Sequence, residues 1–99
     1  MSGVYLNTFK NPQQTLVAVC DENLLGLTFR EGKLKLEVKP DFYKGVSTSV
    51  EKALKAIDSA DVANLVGDSI VDAAVREGLV DATAVLRIDG VPHVQIVRI

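Results

Sequence analysis

The chain is poor in the residues that build covalent or metal-bound frameworks. Its 99 residues include one cysteine, Cys20, one histidine, His93, and no tryptophan. A single cysteine excludes an internal disulfide and a cysteine-based metal site, and a single histidine excludes a site with two histidine ligands. We therefore expect no metal, no cofactor and a reducing cytoplasm, with Cys20 as a small core residue rather than a reactive thiol.

Long apolar runs and a strong excess of charge are also missing. No run approaches the roughly 18–20 apolar residues of a membrane span, and the amino terminus lacks the basic and apolar segments of a secretion signal. A formal net charge of −2 argues against a protein that coats nucleic acid nonspecifically, although a local basic patch remains possible. With 47% hydrophobic residues, we expect one folded domain over residues 1–99, without membrane association.

The clearest pattern lies between Leu24 and Gly45. Leu34, Leu36 and Val38 alternate with charged residues, and a period of two predicts a half-buried strand. The β-prone run 27–29 precedes it, so we predict an antiparallel hairpin connected through residues 30–32, with its lysine-rich face outward.

Other segments also have strand character. Val4–Lys10 alternates over two faces, and the nearly continuous apolar run Thr15–Cys20 predicts a central strand covered on both sides. Near the end of the chain, Asp89-Gly90 is a two-residue hairpin signal between the predicted strands 84–88 and 93–99.

Helical signals fill the middle of the chain. Thr48 and Glu51 have the spacing of a capping box, and an apolar stripe follows at helical spacing. The stripe comprises Val50, Ala53, Leu54, Ile57 and Ala60. Residues 61–67 are expected to continue this helix or to form a short second one. A further helix is expected from Asp68 or Ser69 to Gly78, and Asp21 is expected to cap a single turn before the hairpin.

Together these elements predict a single α+β domain. An antiparallel sheet of β-hairpins would carry two or three central helices packed on one face.

Charge is unevenly distributed along the chain. Residues 30–44 carry five basic and three acidic side chains, whereas residues 51–81 carry three basic and seven acidic ones. The basic stretch, together with two adjacent aromatics, resembles the pairing of cations and stacking rings in single-stranded RNA binding. The candidate RNA-binding residues are Arg30, Lys33, Lys35, Lys39, Phe42 and Tyr43. The alternative is that these lysines only protect an exposed strand and aid solubility.

A second candidate is a small polar pocket. Asn64, His93 and Gln95 interrupt otherwise apolar segments, and exposed together they could read a base edge or a peptide. His93 could instead be structural, bonded to a backbone carbonyl or to Asn64. No nucleophile or acid pair accompanies it, so no catalytic residue is assigned, and an enzyme built on His93, Asn64 and Arg30 is the least favoured reading.

Four segments carry a family resemblance: LLGLTFREGKLKLEV, FYKG, ANLVG and GVPHVQ, in that order and spacing. With these the chain resembles a small archaeal family of single-domain proteins of unknown function, over nearly its whole length. It departs from the family pattern at Val94, where a small residue such as alanine is expected. The resemblance implies an archaeal cytoplasmic origin and an association with translation and RNA-handling machinery, but no activity or cofactor.

The sequence thus leaves two main hypotheses. One is a noncatalytic module that binds RNA or a ribonucleoprotein, in which Lys33→Glu with Lys35→Glu abolishes binding. The other is an assembly subunit that pairs with a protein partner or with itself through sheet edges or an apolar helix face.

Overall fold

The structure is a computed structural model of the chain, and it describes residues 3–98. Eight strands and three helices lie within this range. In chain order they are β1 (Val4–Lys10), β2 (Thr15–Asp21), β3 (Thr28–Glu31), β4 (Leu34–Glu37), α1 (Pro40–Tyr43), β5 (Val46–Thr48), α2 (Val50–Ser59), β6 (Val62–Val66), α3 (Asp68–Arg76), β7 (Leu86–Ile88) and β8 (Val91–Val97).

Six of the strands form one sheet, in the order β5-β1-β2-β6-β8-β7. Only the β2–β6 pair is parallel, and the other neighbours are antiparallel. The predicted α+β class is confirmed. Strands β3 and β4 form the predicted hairpin, but as a separate two-stranded sheet. Because Glu31 pairs with Leu34, the hairpin turn is Gly32-Lys33 rather than residues 30–32.

The prediction of a helix over residues 61–67 was wrong, because this segment contains the central strand β6. An apolar run this short cannot be assigned by periodicity alone. Its side chains are divided between the two sheet faces, with Ala63 and Leu65 on one and Val66 on the other. Helix α2 ends before this strand, where Arg98 Nη1 donates to the carbonyls of Ile57 at 2.7 Å and Ala60 at 2.9 Å.

Helices α2 and α3 pack on one face of the sheet, as predicted. All five residues of the predicted α2 stripe contribute to this core. The predicted cap was displaced by one residue. Ser49 Oγ, not Thr48, accepts from the Lys52 amide at 3.2 Å, because Thr48 is the last residue of β5 and pairs with Val4 of β1.

Asp21 caps a helix, but not the turn that follows it in sequence. Its Oδ2 accepts from the Ser69 amide at 2.9 Å and its Oδ1 from the Ile70 amide at 3.1 Å, both in the first turn of α3. The 3-10 turn that follows Asp21, Glu22–Leu24, receives no hydrogen bond from a capping side chain. Gly67 permits this close approach, since it has φ +116° and a Cβ there would overlap the Asp21 carboxylate. The side chain is 5% exposed, and burial raises its pKa against the lowering effect of the two amide bonds.

The other face of the sheet is partly covered by the β3–β4 hairpin and α1. They enclose a second core of Ala18, Cys20, Leu36, Val38, Tyr43, Val66 and Ile88. Cys20 is completely buried, as expected, and burial raises the pKa of its thiol to about 12.

At the end of the chain, Ile88 pairs with Val91 across the predicted Asp89-Gly90 turn. The amide of Asp89 donates to Glu31 Oε1 at 2.7 Å, which ties this turn to the β3–β4 hairpin. The preceding strand starts at Leu86, since Ala82–Ala84 forms a 3-10 turn. Ile99, placed in the last predicted strand, lies outside the described residues. Within residues 3–98, no helix has the length and apolar character needed to cross a membrane.

Candidate functional site

Part of the sheet remains uncovered on the side opposite α2 and α3. Side-chain alternation and strand register place seven residues on it, and we call this region the open sheet face. The seven are Asn7, Phe9, Leu16, Asn64, His93, Gln95 and Val97, and Leu86 of β7, directly opposite His93 and 46% exposed, extends the face to the edge of the sheet. None of the seven is charged at neutral pH, although 24% of the chain's residues are. Depletion of charge at the centre of a surface is typical of a binding interface.

The predicted polar pocket lies on this face. Asn64 is directly opposite Gln95 in the β6–β8 register, and His93 is two residues before Gln95 on the same side of β8. Directly opposed residues have Cβ atoms about 4.5–5.5 Å apart. The structure therefore brings all three predicted residues together.

The same three side chains have no hydrogen-bond partner among the described residues. Within residues 3–98 none of them makes a hydrogen bond, so His93 does not bond a carbonyl or Asn64 as the structural reading required. Asn64 and His93 are half-buried, and burial lowers the pKa of His93, which favours the neutral imidazole. Each side chain thus presents both a donor and an acceptor to an incoming ligand.

An aromatic group borders the open sheet face. Phe9 and Phe42 stack with ring centroids 5.4 Å apart, and Phe42 meets Tyr43 edge-on at 4.9 Å. Asn7 Nδ2 donates to the Phe42 carbonyl at 3.0 Å, which fixes α1 against β1. Tyr43 is 4% exposed and belongs to the core, whereas Phe9 is 41% exposed. The ring open to a ligand is therefore Phe9, which was not among the predicted residues, and not Tyr43, which was.

Phe9 could have been identified only from its place in the sheet. It lies on the same side of β1 as Asn7, near the end of the strand that β5 leaves unpaired. Sequence alternation gives the side of the strand but not which part of that side is covered.

The same fold is found in a solved structure. This crystal structure, of an uncharacterized conserved protein from Methanopyrus kandleri, has a TM-score of 0.76 and 27% identity, covering 95% of this chain and 90% of the other. The family described as Protein of unknown function (DUF424) matches residues 9–99. The chain belongs to this DUF424 family. No curated protein matches it.

In this DUF424 member, the predicted basic residues do not border the open sheet face as one group. Arg30 and Lys35 pair directly across the β3–β4 hairpin, on the side opposite Phe29 and Leu36, which face the core. Lys35 also forms an ion pair with Glu37 at 3.0 Å, and this contact lowers the pKa of Glu37. Arg30 and Lys35 thus lie on the outer side of the hairpin.

Two other lysines lie nearer the aromatic group. Lys44 follows Tyr43 after α1, and Lys10 follows Phe9 at the end of β1, where alternation places it on the other side of the strand from Phe9. Both are exposed, and neither forms an ion pair within residues 3–98. Lys44 is therefore free to meet an anionic ligand that reaches the aromatic group.

The arrangement offers little for catalysis. Arg30 lies on the outer side of the hairpin, away from Asn64 and His93 on the open sheet face, so the three residues of the enzyme hypothesis do not converge. Across residues 3–98, no group of three or more His, Cys, Asp or Glu side chains is placed to hold a metal ion. The open sheet face offers a ring and a set of neutral donors and acceptors.

Proposed function

We propose that this protein is a noncatalytic RNA-binding module, acting in the cytoplasm with translation or RNA-handling machinery, and that single-stranded RNA binds to its open sheet face. The observation that carries the proposal is the uncommitted group Asn64, His93 and Gln95 beside the exposed ring of Phe9. The archaeal neighbour and the family resemblance are compatible with this role but are silent on ligands.

The chemistry of the face suits unpaired bases. A base can stack on Phe9, an interaction that contributes about 1–3 kcal/mol in single-strand binding. The opposed amides of Asn64 and Gln95 can then donate to and accept from a base edge. Lys44 can neutralise a phosphate near the stacked base, which predicts a shallow dependence of affinity on salt, with a slope of about −0.7 per phosphate contacted.

The test is fluorescence anisotropy with labelled single-stranded RNA of about ten nucleotides, within the range that a single small domain contacts. Phe9→Ala is expected to weaken binding about 5- to 150-fold through lost stacking. The double variant Asn64→Ala with Gln95→Ala is also expected to weaken RNA binding. Circular dichroism checks the fold of each variant.

Lys33→Glu with Lys35→Glu is the matched comparison on the hairpin. If RNA binds the open sheet face, this variant keeps affinity within about threefold, since only long-range repulsion is added. Loss of binding in this variant, with Phe9→Ala unaffected, would instead locate RNA on the hairpin. No binding by the unaltered protein at low salt would refute the proposal altogether.

A second candidate function is assembly with a protein partner. It is favoured by the unprotected edge of β1, since β5 pairs only with Val4–Leu6, and by Val46 of β5, which is 62% exposed. Light scattering at high concentration tests the homodimeric form, and a strict monomer would exclude that form.

A further inference from the structure

A groove runs between α2 and α3 on the surface remote from the open sheet face. Its volume is about 510 Å³, and its floor is apolar. Four side chains form this floor: Val50, Leu54, Ala73 and Leu79. Three of them are half-buried in the isolated chain. The floor can therefore bury further apolar surface against a partner.

Carboxylates border the groove. Glu51 and Asp58 lie two helical turns apart on α2, and Glu77 lies across from them at the end of α3. An adjoining hollow of about 350 Å³ shares Glu51 and adds Asp68 and Asp72.

Few of these charges are neutralised within the chain. Of the five carboxylates that line the groove or the hollow, only Asp68 forms an ion pair within residues 3–98, with Arg87 at 3.6 Å. Two cations, Lys55 and Arg76, also line the groove, so three carboxylates face two basic groups there, and the adjoining hollow adds Asp72 and the paired Asp68. The groove is thus apolar at its base and net negative at its border.

We propose that this groove binds an amphipathic helix of a protein partner, one that carries lysine or arginine on both sides of an apolar stripe. A groove between two helices accepts a third helix in the ridges-into-grooves manner. Helix α2 has ten residues, so its length of about 15 Å matches roughly three turns of such a partner. Charge complementarity selects the basic helix, since an acidic one would meet Glu51, Asp58 and Glu77 in the groove and Asp72 beside it. This surface is separate from the proposed RNA site, and either can exist without the other.

The probe is a fluorescein-labelled synthetic peptide of about 18 residues, long enough to form a helix, with leucines on one face flanked by lysines. A second peptide with glutamate at each lysine position is its control. Binding is measured by anisotropy and located by amide chemical-shift changes in the ¹⁵N-labelled protein. The lysine peptide is expected to bind and to shift amides of α2 and α3, while the glutamate peptide does not bind.

Charge reversal supplies the decisive variants. Glu51→Lys with Asp58→Lys is expected to weaken binding of the lysine peptide at least about tenfold, because each change replaces an attraction with a repulsion. Glu37→Lys with Asp41→Lys changes the net charge equally but lies outside the groove, and is expected to keep affinity within about threefold.

Three results of the peptide experiments would overturn the proposal. They are shifts confined to the open sheet face, equal weakening by both charge-reversal pairs, and no binding of the lysine peptide. Self-association that Glu51→Lys with Asp58→Lys abolishes would also overturn it, since a second copy would then occupy the groove.

Discussion

Replacing Asp21 tests how far the fold depends on one remote cap. In Asp21→Ala the amides of Ser69 and Ile70 lose their acceptors, at 2.9 and 3.1 Å. Loss of a helix cap costs about 0.5–2 kcal/mol, and a buried donor left unpaired costs about 1–3 kcal/mol. We therefore expect the free energy of unfolding to fall by about 2–4 kcal/mol, a large share of the 5–15 kcal/mol typical of a domain. Asp21→Asn keeps one acceptor and is expected to lose about 1–2 kcal/mol.

Urea unfolding at pH 7, followed by circular dichroism, measures these losses. Since m is about 1–3 kcal/mol per molar urea, the midpoint of Asp21→Ala should fall by roughly 1–3 M without a change in m. The matched control is Asp68→Ala, which removes an exposed aspartate from the same end of α3 and should lose less than about 1 kcal/mol. Equal losses for Asp21→Ala and Asp68→Ala would refute the reasoning.

The pH dependence gives an independent check. Burial raises the pKa of Asp21 above its ordinary value of 3.8, so the folded state binds this proton more tightly than the unfolded state. The resulting stabilisation is fully present below the unfolded pKa and is lost as pH rises through the folded pKa. Relative to Asp21→Asn, the unaltered protein should gain stability as pH falls through this window. An unchanged difference between the two proteins across the window would contradict the raised pKa.

Two further predictions concern buried positions. Gly67→Ala should destabilise the protein by about 2–4 kcal/mol, because the added Cβ overlaps Asp21 and the φ of residue 67 is +116°. The control Gly78→Ala, with φ +74° and open space around the residue, should lose only about 1 kcal/mol. Equal losses would show that backbone strain alone acts at Gly67. Cys20, fully buried and with its pKa raised to about 12, should not react with Ellman's reagent at pH 8 until the protein unfolds. Rapid reaction in the folded state would show that the β3–β4 hairpin opens readily.

Local patterns predicted most of the elements correctly. The β3–β4 hairpin, the apolar stripe of α2 and the Asp89-Gly90 turn each depend on residues close in sequence, and all three are confirmed. Non-local relations were not predictable in this way. Nothing near Asp21 shows that its carboxylate meets Ser69, and the run 62–66 became a strand because β2 and β8 lie on both sides of it.

For the candidate site, too, the local features were predictable and the non-local ones were not. Asn64, His93 and Gln95 were predicted because polar residues in apolar strands are locally visible, and strand register then placed them together. The hairpin cations were also visible, but the sequence does not show that the hairpin presents them away from the open sheet face. Phe9 was missed for the same reason, since its exposure depends on which part of the face α1 and the hairpin leave uncovered.

The parallel pairing of β2 with β6 has a consequence for synthesis of the chain. Strand β2 is complete at Asp21, but the strand that pairs with its free edge begins only at Val62, about forty residues later. At roughly 5–20 residues per second, the apolar edge of β2 on a nascent chain waits about 2–8 s for its neighbour. During that interval the β1–β2 hairpin exposes an edge suited to pairing with another chain. Translation speed between these two strands should therefore influence how much of the protein reaches its folded state.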